Sequence, residues 1–153
     1  ILKSDSVSNT DKSFYLKLLV HFVGDLHQPL HIGRYEDRGA NRIYVKWFGR
    51  NSNLHRVWDS EMINSHNMSY SELALNLPNP DFLLFTEEAN DFKRGDVLNW
   101  VDEIHEYTNK IYADVSIDDK LGYEYQYKNF GTVKDLLLIG GIRLAKILNY
   151  LFD

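Results

Sequence analysis

HFVGDLHQPLH, residues 21–31, is the stretch on which the reading of this chain turns. His21 and Asp25 are four residues apart, so on a helix both side chains fall on one face. They stand among Leu, Val and Phe, where a His or Asp with no task would be a costly buried polar group. Gly24 beside them leaves room for another element to approach. Pro29 disfavours helix in Gln28, so the helix must end there. His31 comes just past that proline, where a chain leaving a helix can turn a side chain back over the helix end.

Working outward, this first helix is expected to start after Thr10, a good N-cap, and to run through FYLKLLVHFVGDLH. Residues 33–41 are polar and read as a loop. Ile43, Val45 and Trp47 alternate with Tyr44, Lys46 and Phe48, which predicts a strand over Arg42 to Phe48, half of a hairpin. Gly49 to Ser52 is expected to be a turn. Asn53 can cap a second helix, LHRVWDSEMINS. A short third helix fits YSELALNL and is stopped by Pro78 and Pro80. A long helix fits Glu87 to Tyr112, with Val97, Val101, Ile104 and Ile111 at helical spacing. A last helix is expected from near Thr132 to the end. Gly140 and Gly141 sit inside it at a cost of about 1 kcal/mol each against alanine, which implies close helix–helix contact. The fold class is mainly α with a short β-hairpin, and 153 residues make one domain.

The second informative segment is NLHRVWDS, residues 53–60. His55 and Asp59 repeat the His-x-x-x-Asp spacing. One such pair is common on helix surfaces and usually means a hydrogen bond. Two pairs together with His31 make five nitrogen and oxygen donors of the kind zinc prefers. His31, His55 and Asp59 form one three-ligand set, which with an open fourth position is what a catalytic zinc needs. His21 and Asp25 form half of another. His27, His66 and His105 read as structural or solvent-facing.

Composition narrows the alternatives. The chain has no cysteine, so disulfides and thiolate zinc sites are excluded, and zinc must be held by His and carboxylate. The formal net charge is −5, which predicts no broad phosphate-binding surface of the basic kind. The apolar run Leu136 to Ile142 is far too short to span a bilayer, so no membrane partner is expected. No protein partner is predicted either. The N-terminal ILKSDSVSNTDKS lacks the charged-then-apolar pattern of a signal peptide. Tyr35, Tyr44, Trp47 and Phe48 lie near the ligands in sequence. Core and strand packing is the expected role for them, because strands are enriched in aromatics.

HFVGDLHQPLH, then DRGAN at 37–41, then NLHRVWDS, in this order and at these separations, resembles the zinc-dependent single-strand-specific nuclease family. WVDEIHEYTNKIY, LGYEYQYKNF and GIRLAKILNYLF are similar to its bacterial branch, and the resemblance covers nearly the whole chain after the first ten residues. It implies a mostly helical zinc-cleft fold of the phospholipase C and single-strand nuclease type. It implies three zinc ions in the complete protein: a two-zinc cluster that includes His21 and a bridging Asp25, and a third zinc on His31, His55 and Asp59. It implies hydrolysis of single-stranded DNA and RNA to 5′-nucleotides, with 3′-nucleotides as further substrates, in a secreted or periplasmic protein. It places Asn41 near the scissile phosphate. Asp25 and Asn41 are therefore the catalytic candidates.

The chain departs from the family pattern in two places. The residues that complete the other two zinc sites are expected in an N-terminal portion that 1–153 does not contain, which makes this chain the C-terminal portion of a larger nuclease domain. Alone it is expected to hold at most one zinc tightly. Ala40 stands where the pattern commonly has a second glycine and is expected to narrow or stiffen the loop carrying Asn41. Two rival readings are a zinc phospholipase C-like phosphodiesterase and a truncated zinc-binding domain without catalysis. DRGAN and NLHRVWDS favour the nuclease over the lipase.

Overall fold

The structure is a computed structural model that describes residues 1–78 and 92–152. Helix α1, Asn9–Leu26, opens on Ser8, whose hydroxyl accepts the Asp11 N–H at 3.1 Å. The cap is thus Ser8 and not Thr10, because Asp11 rather than a later residue supplies the amide in reach. At its far end Gln28 is extended, as a residue before proline must be. The Gln28 side chain accepts the Leu30 N–H at 2.6 Å and starts a 3₁₀ turn, Pro29–Ile32, which buries Pro29 and Leu30. That turn carries His31 back over the end of α1, as the proline spacing suggested.

Strands β1, Tyr44–Trp47, and β2, Arg50–Asn53, pair antiparallel with Trp47 opposite Arg50. Phe48 and Gly49 between them both have positive φ, 46° and 79°, the backbone of a two-residue hairpin turn whose twist matches the strands. The turn is therefore Phe48–Gly49. The residues expected to turn after it, 50–52, are strand instead, paired through backbone bonds that their polar side chains do not reveal. A two-residue strand β3, Lys120–Leu121, adds in parallel to β1 and gives the order β2-β1-β3.

Helix α2, residues 54–64, is capped by Asn53, whose side chain accepts the Arg56 N–H at 2.8 Å. It begins and ends as α-helix but widens to a π-helix over Val57–Glu61. Helix α3, Tyr70–Leu75, starts at a Ser69–Glu72 capping box. Helix α4 is Asp96–Asp114. Of the longer helix expected from Glu87, residues 87–91 lie outside the described residues and 92–95 are not helical. The buried stripe of α4 is Trp100, Ile104, Thr108 and Ile111, whereas Val97 and Val101 are only half-buried. The last helix, α5, is Tyr123–Phe152. It starts at Tyr123 and not near Thr132, because Tyr125 and Phe130 continue the buried face of Val133 and Leu136 toward the N-terminus.

One core gathers the sheet, the 3₁₀ turn and α2, with Leu30, Val45, Leu54, Val57, Trp58 and Met62 at its centre. A second lies where α1, α4 and α5 meet, around Val23, Trp100 and Ile147. Beside it Arg143 is 1% exposed and pairs with Glu103, lies 4.9 Å above the Trp100 ring and donates to His27 Nε2 at 3.2 Å. His27 then donates from Nδ1 to the Val23 carbonyl at 2.7 Å. A Cβ added at Gly140 would sit 3.1 Å from the His27 ring, so this glycine is the close contact between α1 and α5. Gly141 and Gly24 face open space; among the described residues no element approaches at Gly24. No helix among the described residues is long and apolar enough to cross a membrane.

Candidate metal centre

The site forms where the end of α1, the 3₁₀ turn and α2 converge. Asp25 Oδ2 lies 3.2 Å from His21 Nε2, one helical turn back, and its Oδ1 lies 3.3 Å from His31 Nδ1. His31 Nε2 lies 3.2 Å from Asp59 Oδ1, which also receives Gln28 Nε2 at 3.5 Å. The four side chains thus make a continuous line, His21–Asp25–His31–Asp59. The His31 and His55 rings stack with centroids 5.2 Å apart and planes within 12°. Donor atoms of His31, His55 and Asp59 all fall within 4.8 Å of one another. Small side-chain rotations would close that set on one ion at the roughly 2.0–2.2 Å of zinc ligation.

The π segment of α2 matters here. Asp59 lies inside it, and the extra residue per turn changes its azimuth relative to His55 from that of a regular helix. Such bulges recur at functional sites.

His55 is oriented by the loop that follows the 3₁₀ turn. Its Nδ1 donates to the Gly39 carbonyl at 2.7 Å, which leaves Nε2 as the free lone pair. Fixing a ligand imidazole by a bond on its other nitrogen is the usual support of a metal site. The loop is tightly wound: Arg38, Gly39 and Ala40 have φ of 58°, 63° and 64°. Asp37 Oδ1 holds it by accepting the Ala40 N–H and the Tyr112 hydroxyl, each at 2.7 Å. The same hydroxyl accepts the Arg34 N–H at 3.1 Å. Burial, and then the bond to Asp37, push the Tyr112 phenol up to about 12, so it stays a donor at any ordinary pH.

The comparisons with known proteins agree on one family. The family model described as S1/P1 Nuclease matches residues 1–153. The chain is 33% identical to Endonuclease 4 of Arabidopsis thaliana over 98% of its own length and 54% of that protein's. It is 36% identical to Endonuclease 5 of the same plant over 90% of this chain and 51% of the other. It is 39% identical to Nuclease P1 of Penicillium citrinum over 64% of this chain and 38% of the other.

The chain belongs to the S1/P1 nuclease family.

It spans about half the length of the curated relatives it matches. A mostly helical fold with a small sheet is what the resemblance implied for this family. Within this S1/P1 chain the five sequence-predicted ligands converge, but not equally. His31, His55 and Asp59 form the one three-residue group among the described residues whose donors could hold a metal ion. His21 and Asp25 adjoin it through His31 and make no three-donor set of their own among those residues. The Asn41 side chain is engaged elsewhere, donating to the Arg38 carbonyl at 2.9 Å. His27 is buried between α1 and α5, His66 stacks on Phe130, and His105 is exposed.

Sequence reasoning missed Tyr112 and Asp37, which meet only because α4 packs on the loop. It also misjudged three aromatics. Tyr35 is 93%, Tyr44 61% and Phe48 38% exposed, whereas Trp47 does enter the core.

Proposed function

We propose that this chain carries the zinc-binding end of the active site of a phosphodiesterase that cleaves single-stranded DNA and RNA. The observation that carries the proposal is the His31–His55–Asp59 donor set on a cleft, with His55 already fixed through Gly39. An all-His and carboxylate set of three fits zinc, and the sequence has no thiolate to offer. Relatives named endonuclease and nuclease support the same reaction class.

In this reading His55 and His31 each offer Nε2, and Asp59 offers a carboxylate oxygen. Asp25 orients His31 from its Nδ1 side and, in the full-length protein, would help hold a two-zinc cluster together with His21. Zinc bound at these residues supplies a polarised phosphate and an acidified water. No side-chain nucleophile is required, so Asp25 and Asp59 act as ligands rather than bases. Asn41 serves the scissile phosphate, which requires its amide to leave the Arg38 carbonyl. Three zinc ions in the full-length protein, 5′-nucleotide products, action on 3′-nucleotides, and a secreted or periplasmic place complete the proposal.

The test is zinc analysis of the full-length protein together with release of acid-soluble nucleotide from single-stranded DNA. We expect bound zinc and preferential digestion of the single strand; His55→Ala and Asp59→Ala should each lose the zinc of the His31–His55–Asp59 set and the activity with it. Release of choline phosphate from lecithin with no action on DNA would overturn the proposal. So would full nuclease activity without zinc.

A further inference from the structure

The cleft of about 860 Å³ that opens on Asp25, His31 and His55 is also lined by Arg34, Arg38 and Arg42, against the single further acid Glu36. All three arginines are exposed, in a chain whose net charge is −5. None of them pairs with a carboxylate among the described residues, unlike Arg56 with Glu61 and Arg143 with Glu103. Two are nevertheless held in place. The Arg34 guanidinium sits 4.3 Å over the Tyr112 ring, and Arg42 Nη1 donates to the Glu36 carbonyl at 2.8 Å. Asp37, the nearest acid in sequence to Arg38, is occupied by Tyr112 and Ala40. Tyr35, which also lines the cleft, is 93% exposed. Tyr70 and Tyr127 are about as exposed as Tyr35, so exposure alone marks nothing; what sets Tyr35 apart is its place in the metal-site cleft beside three guanidiniums, a combination that suits a ligand with both a flat apolar face and negative charge.

Resting on the proposed function, we propose that this part of the cleft is a subsite for the substrate strand beyond the scissile bond. Arg34, Arg38 and Arg42 bind its phosphates, and Tyr35 stacks on one of its bases. A positive groove interleaved with an exposed aromatic is how single strands are held without sequence preference. The winding of residues 38–40 serves this subsite as well as His55, because the same tight loop that presents the Gly39 carbonyl turns Arg38 and Arg42 to the rim.

The experiment measures binding of a fluorescent oligothymidylate to EDTA-treated full-length protein as salt is raised, and KM on the same oligonucleotide for the zinc-loaded enzyme. Each phosphate contact to a single strand contributes about 0.7 to the slope of log affinity against log salt. Replacing all three arginines by alanine is expected to lower that slope by about 2 and to raise KM. The triple lysine variant, which keeps the charge, is expected to keep the slope. A role confined to holding the loop through guanidinium geometry would not be rescued by lysine. Arg38→Ala alone, whose side chain makes no hydrogen bond or ion pair among the described residues, is expected to lower the slope by about 0.7. Tyr35→Ala is expected to raise KM about fivefold, the lower end of what losing one stacked base does, and Tyr35→Phe to preserve it. If wild-type protein cleaves the oligonucleotide but the alanine variants keep both slope and KM, the inference is overturned and the proposed function stands. If the wild type neither binds nor cleaves it, the proposed function fails and takes this inference with it.

Discussion

Replacing Gly39 by alanine is the sharpest perturbation of the proposed metal centre that touches none of its proposed ligands. Gly39 has φ +63°, a conformation that costs an alanine about 1–2 kcal/mol. The new Cβ would also fall onto the Leu30 carbonyl oxygen, well inside van der Waals contact, and 3.5 Å from His55 Nδ1. The Leu30 oxygen is backbone in a buried turn and cannot swing away. Relieving that overlap adds about 1–3 kcal/mol, as other overpacked sites do. The expected loss of stability is therefore about 2–5 kcal/mol, read as a lower urea midpoint of the zinc-free protein. The backbone must shift at the residue whose carbonyl orients His55. Zinc affinity should accordingly fall about 10–100-fold, the usual cost of losing such a support, measured by competition with a chromogenic chelator. Gly24→Ala is the control: nothing lies within 4 Å of its Cβ, and mid-helix alanine should stabilise by about 1 kcal/mol. A Gly39→Ala protein as stable as wild type and with unchanged zinc affinity would show that the Gly39 carbonyl does not hold His55 for the metal.

Asp25→Asn keeps the size of the side chain and removes its charge between His21 and His31. In the full-length protein it should cut nuclease turnover about 100-fold or more, on the scale of losing a metal-site carboxylate, while the far-ultraviolet helical signal persists; near-normal turnover would remove Asp25 from the mechanism. The neighbouring glycines of α5 should behave oppositely. Gly141→Ala, with open space at its Cβ, should stabilise by about 1 kcal/mol. Gly140→Ala meets the pinned His27 ring at 3.1 Å and should come out neutral to about 2 kcal/mol destabilising once the helix gain is subtracted. Thermal melts of the two variants decide it, and a stabilised Gly140→Ala protein would show that α1 and α5 are not in contact there. Burial raises the phenols of both Tyr112 and Tyr125 above their ordinary value. A raised folded-state value means that the stabilisation is complete below about pH 10 and is lost as pH climbs through the folded value. Urea midpoints should therefore drop steeply above pH 10, and Tyr112→Phe should flatten that slope.

Much of the site could be read from the chain because it is local. His21 with Asp25, and His55 with Asp59, are four-residue spacings on helices, and Pro29 announces the bend that carries His31 back. The capping Asn53 was readable for the same reason. What escaped was non-local or geometric. The pairing of Lys120–Leu121 with Lys46–Trp47 depends on a strand of two residues, too short to leave a pattern. The start of α5 was hidden because Tyr125 and Phe130 gain their helical face from packing rather than propensity. The π segment of α2 leaves no periodic trace over Val57–Glu61, yet it sets where Asp59 points. Tyr35 shows the converse limit: composition near a strand suggested packing, and only the fold shows that side chain standing in solvent at the rim of the cleft.

His31, His55 and Asp59 are proposed to share one zinc ion. Anomalous diffraction from crystals of the full-length protein, recorded on both sides of the zinc absorption edge, tests it most directly. A zinc peak is expected bonded to His31 Nε2, His55 Nε2 and an Asp59 carboxylate oxygen, with His55 Nδ1 still on the Gly39 carbonyl. Zinc-replete crystals with no peak at those three residues would contradict the proposal.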